Sequence, residues 1–204
     1  MVWLSRRLII FGVGVSALQG HALAADLSYN KWSFVVGGGI ENLPDETVRS
    51  LKAQADIVDS LLIKPEIQTF FHGVRLEVEP TTSGGAGAYS FDKHKMLLSM
   101  RPDSPQNPVF LHELLHAYHD QRLVGGRHNP LIKDFYEQAL KANAFDNSSY
   151  MLSNVVEFFA MCASVVLWGR AARAPFKRDA VQAHLPDFYA WIVSEFYPAG
   201  ATPS

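Results

Sequence analysis

Cysteine is almost missing: the chain has 204 residues and one thiol, Cys162. A lone cysteine excludes an internal disulfide framework, so the fold must be held by its core, with or without help from a metal. Basic runs are missing as well. Lysine and arginine number 18 against 20 acids, a formal net charge of −2, and a chain without a basic stripe lacks the electrostatic footprint of a nucleic-acid binder. No Lys/Arg-rich amphipathic stretch is present to lie on a membrane surface. Repeats and low-complexity segments are also absent. What remains, 48% hydrophobic and 19% charged residues, is globular composition, with proteins or peptides as the expected partners. Oligomeric state is not legible.

The first 24 residues differ from the rest. Arg6 and Arg7 precede an apolar run at 8–18, and Ala22-Leu23-Ala24 forms a small-residue cleavage site, which together read as a secretory signal peptide. The run is shorter than the roughly 20 residues of a spanning helix. Cleavage near Ala25 leaves one domain, 25–204, placed in the periplasm or outside the cell. It also removes two arginines and no acid, which takes the net charge to −4.

Strand patterns occur at 32–36, at 74–78, where VRLEV alternates, and at 95–99. Residues 81–88 (TTSGGAGA) read as a plain glycine-rich connection. A helix is expected from Pro44-Asp45-Glu46 onward, with Val48, Leu51, Ala55, Val58, Leu61 and Leu62 on its apolar side. Further helices are expected over 109–124, 130–142, 150–168 and 179–196, the last interrupted at Pro186. Strands early and helices late predict an α+β domain: a small mixed sheet and a mostly helical C-terminal half.

The chemistry concentrates at His112-Glu113-Leu114-Leu115-His116, an H-E-x-x-H match. On a helix, residues four apart lie about 40° from each other, so both imidazoles project from one face and can grip one Zn²⁺. Such an ion lowers the pKa of water toward about 7, and a carboxylate at Glu113 would accept the proton. A third ligand is needed. Residues 150–168 carry a single charge, Glu157, and a carboxylate in apolar surroundings is disfavoured unless paired or bound to metal. The competing reading of this segment is a transmembrane helix, against which the central Glu157 and Asn154 weigh. On one helix Tyr150, Asn154 and Glu157 would share a sector about 60° wide, so Tyr150 could donate to a substrate oxyanion or simply pack with a wet hydroxyl.

The pattern Tyr150-x-x-x-Asn154-x-x-Glu157-Phe158-Phe159-Ala160, downstream of the H-E-x-x-H match, resembles the catalytic-domain signature of the anthrax lethal factor type of zinc metallopeptidase, within the gluzincins. The resemblance spans about residues 89–168 and is dense at the two motifs. It implies a zincin-like fold, an active-site helix and a second helix bringing the glutamate ligand. It also implies Glu113 as general base and Tyr150 as the catalytic tyrosine. Where that family often carries a further acid, Met161 and Cys162 stand.

The expectation is therefore an exported zinc metallopeptidase, with His112, His116 and Glu157 on the metal and Glu113 and Tyr150 acting on the peptide. Asp120 and Asn154 are candidates to orient the imidazoles. His119 is expected at the cleft rim, and the strand near 96–99, in the gluzincin reading, at the cleft edge. The alternative is a non-catalytic exported zinc-binding module on the same scaffold.

Overall fold

The computed structural model describes residues 26–203, apart from 38, 39, 41, 81–84 and 105. The expected signal peptide lies outside the described residues. The chain folds as an α+β domain whose five-stranded mixed sheet runs in the order β1-β2-β3-β5-β4. These strands are β1 (Leu27–Tyr29), β2 (Trp32–Val36), β3 (Arg75–Glu79), β4 (Gly87–Ser90) and β5 (Lys95–Ser99). β2, β3 and β5 are mutually parallel, with β1 and β4 antiparallel on the two edges.

Period-two alternation fixes the buried face. Phe34 pairs with Leu76, Leu76 with Met96, and Met96 with Tyr89, so four buried side chains form one row across the sheet. Helix α1 (Asp45–Asp59) and the shorter α2 (Pro65–His72) make the crossover from β2 to β3. α1 buries Leu51, Ala55 and Val58 as expected, with Leu61 just beyond its end; Val48 is half-buried, and Leu62 is exposed.

Two expectations are corrected here. The glycine-rich stretch is partly strand: Gly87 and Ala88 belong to β4, paired through Gly87↔Leu98 and Ala88↔Leu97. Long-range pairing overrides the low strand preference of glycine and alanine. β5 is consequently an interior strand, and the free sheet edge beside the helices is β4, not residues 96–99.

Helix α3 (Val109–Gln121) crosses the centre of the molecule, burying Phe110, Leu111, Leu114, Leu115, Ala117 and Tyr118. Gln54 of α1 fastens its start, accepting from the Phe110 N–H (3.2 Å) while donating to the carbonyls of Ser104 (3.2 Å) and Asn107 (2.9 Å). After α4 (Pro130–Lys141), helix α5 (Val155–Trp168) packs along α3, buried from Phe158 to Leu167. α5 is apolar on all sides because it is surrounded; among the described residues no helix is long and apolar enough to cross a membrane.

The last helices, α6 (Arg178–His184) and α7 (Pro186–Phe196), are separated at Leu185, with Pro186 opening the second. α7 is tied to the rest of the fold near its end. Tyr118 of α3 donates to Glu195 (2.6 Å), and the Lys64 ammonium donates to the carbonyls of Ser194 (2.9 Å) and Glu195 (2.8 Å).

Candidate metal centre

α3 presents His112 and His116 on one face, one turn apart, toward the N-terminal end of α5. The helix does not begin at Tyr150, as the sequence pattern suggested. Residues Tyr150–Leu152 form a separate 3₁₀ turn, and Asn154 is extended at φ −168°. The Asn154 side chain accepts from the N–H groups of Val156 and Glu157, both at 3.0 Å, and such an N-cap satisfies donors that a continuous helix would have bonded internally. Glu157 therefore sits in the first turn of α5, where the helix dipole favours a carboxylate.

The three side chains converge. His112 Nε2 lies 3.1 Å from Glu157 Oε2, His116 Nε2 lies 3.1 Å from His112 Nε2, and His116 Nε2 lies 3.5 Å from Glu157 Oε1. Tetrahedral Zn²⁺ with bonds of about 2.0–2.1 Å would separate its ligand atoms by about 3.3–3.4 Å. The spacing fits that ion, and two imidazoles with one carboxylate is a donor set that zinc accepts.

The three groups also set one another's charge. Burial works to raise the Glu157 pKa, but the hydrogen bonds from His112 and His116 outweigh it and hold the carboxyl well below its usual range. Burial disfavours charge on His116, yet the Glu157 hydrogen bond and the charges of Glu113 and Glu157 raise its pKa. The second nitrogen of His116, Nδ1, is buried without a hydrogen-bond partner.

Glu113 is 7% exposed and lines the cleft beside His112. Gly87 of β4 lies against it: a Cβ there would stand 3.1 Å from Glu113 Cγ and 3.1 Å from Val109 Cγ1. A side chain at this position would be tighter than an ordinary contact and would have to move Glu113 and Val109 by a few tenths of an ångström. Tyr150 lines the same cleft, 44% exposed. Burial, followed by the charge of Glu157, pushes its phenol up to about 12, so it keeps its proton and remains a donor. The Arg173 guanidinium stacks over its ring at 4.8 Å.

Asp120, Asn154 and His119 are placed differently from expectation. The Asp120 carboxylate accepts from Tyr89 (2.9 Å) and pairs with His94 Nδ1 (2.9 Å), so its bonds run to the β4–β5 hairpin and not to the imidazoles. Asn154 acts through the α5 backbone. His119 is no rim residue: it is fully buried against Phe159, ring centroids 4.8 Å apart. Gly87, Gln54, Arg101 and Arg173 escaped the sequence reading. Of these only Gly87 had a signal, a glycine run too close to a strand to be a free loop. No protein-family model, curated protein or solved structure matches this chain.

Proposed function

We propose that the protein is an exported, zincin-like zinc metallopeptidase that hydrolyses peptide bonds. One observation carries the reading: the ligand atoms of His112, His116 and Glu157 converge at 3.1–3.5 Å, with the buried Glu113 carboxylate beside them. His112, His116 and Glu157 would hold Zn²⁺, which supplies Lewis-acid activation of water and carbonyl.

The chain's own residues do the rest. Glu113 accepts a proton from the water that attacks the scissile carbonyl and delivers it to the departing amine. Tyr150, protonated at any physiological pH, donates to the oxygen that gains negative charge, a role worth roughly 3–4 kcal/mol where such donors have been removed. The free edge of β4 offers backbone groups to an extended peptide, which would add as a further strand. Gly87 keeps that edge close to Glu113.

Elemental analysis of the purified exported chain tests the centre. About one zinc per chain is expected, retained in Glu113→Gln with peptide cleavage abolished, and mostly lost in His112→Ala and Glu157→Ala. Full metal content in Glu157→Ala would remove the third ligand and the reading with it.

A further inference from the structure

A cleft of about 300 Å³ opens on the His112 and Glu113 side of the centre. Two segments far apart in sequence wall it: residues 101–103 with 107–108, which follow β5, and the hairpin 170–177, closed by the Arg170↔Lys177 bridge just after α5. Each contributes one arginine to the lining, Arg101 from the first and Arg173 from the second. Both residues are exposed, and neither forms an ion pair among the described residues.

We propose that this cleft is a subsite for a substrate carboxylate, held by Arg101 and Arg173 next to the scissile bond. The inference rests on the peptidase reading and names its substrate class. Guanidinium groups are the side chains best matched to a carboxylate, through paired N–H donors. Charge balance points the same way. A divalent ion held by His112, His116 and Glu157 would offset Glu113 and Glu157. Asp103, whose Oδ1 accepts from the Ser104 N–H and whose Oδ2 is buried without a hydrogen-bond partner, brings one negative charge to the lining against the two arginines. One positive charge is left for the substrate to neutralise. Pro108, Val109 and Met161 line the same space and suit the methylene groups that carry a side-chain carboxylate.

The carboxylate has two sources, an acidic side chain flanking the cleaved bond or the free C-terminus of a short peptide. The zinc-loaded chain should be given two synthetic peptide libraries that differ only in a free or amidated C-terminus, with cleaved bonds read by mass spectrometry. A side-chain carboxylate predicts about tenfold enrichment of Asp and Glu over Asn and Gln at one flanking position in both libraries. A terminal carboxylate predicts cleavage about tenfold slower after amidation. In either case Arg101→Gln and Arg173→Gln should bring the preference ratio toward one. Cleavage without carboxylate preference, or a preference untouched in both variants, overturns the inference and leaves the peptidase reading standing. If neither library is cut, the peptidase reading fails. Equal affinity of the zinc-loaded chain for paired Glu and Gln peptides, measured by fluorescence anisotropy, would then reject the subsite as well.

Discussion

Replacing His119 by leucine should make the protein more resistant to acid, by an amount its surroundings set. The imidazole is fully buried between α3 and α5, and neither ring nitrogen has a hydrogen-bond partner. Burial, reinforced by the charge of His116, pushes its pKa down to about 4, whereas in the unfolded chain it returns to about 6.5. Between those values the unfolded state binds a proton that the folded state refuses. Stability therefore falls as pH falls from about 6.5 through about 4, and His119 has no such effect above pH 7. At pH 5 the linkage amounts to about 2 kcal/mol, rising to about 3 kcal/mol below pH 4. Leucine, close in volume and unable to titrate, abolishes this loss. Urea unfolding of both proteins at pH 7.5 and pH 5, with chelator present so that metal occupancy does not differ, should show the gap in favour of leucine widening by about 2 kcal/mol. Parallel stabilities across that interval would mean the ring is hydrated or charged in the native state, and the reasoning would fail.

Gly87→Val should lower peptide cleavage at least tenfold with zinc content unchanged, because its Cβ meets Glu113 and Val109 at 3.1 Å; full activity in this variant would show that β4 can withdraw without consequence. Gln54→Ala leaves the Phe110 N–H and two loop carbonyls without their partner and should destabilise by about 2 kcal/mol in chemical denaturation. A change under about 0.5 kcal/mol would mean solvent replaces those bonds. Asn154→Ala removes the α5 cap and should cost about 1 kcal/mol of stability. Because Glu157 bonds that cap through its own N–H, zinc affinity should fall in the same variant, which a competition titration with a chromogenic chelator would measure.

Local pattern and tertiary placement were unequally legible in the sequence. The strands at 32–36 and 95–99 and the break at Pro186 follow from alternation and proline chemistry, which act within a few residues. Glu157 stood out because a lone charge in an apolar segment needs a reason, and the structure brings it to His112 and His116. The start of α5 was misplaced because Asn154 offers a cap that competes with helix continuation, and helical periodicity alone cannot show which wins. β4 was hidden in a glycine-rich run, because the approach of Gly87 to Glu113 exists only across the fold. The burial of His119 could not be read from its spacing, since it depends on Phe159 arriving from another helix. Arg101 and Arg173 face one cleft from segments about 70 residues apart, a distance no local pattern spans.

The bond from Tyr118 to Glu195 bears on timing. Tyr118 lies two residues past His116, and its partner belongs to α7, which follows Glu157 in the chain by about thirty residues. A ribosome releases the chain from its N-terminus, so the histidine helix emerges well before α7, which packs against it. Until α7 arrives, α3 lacks both the Phe196 ring against Tyr118 and the Glu195 anchor. A nascent chain thus holds every side chain of the centre before α7 is there to pack against Tyr118.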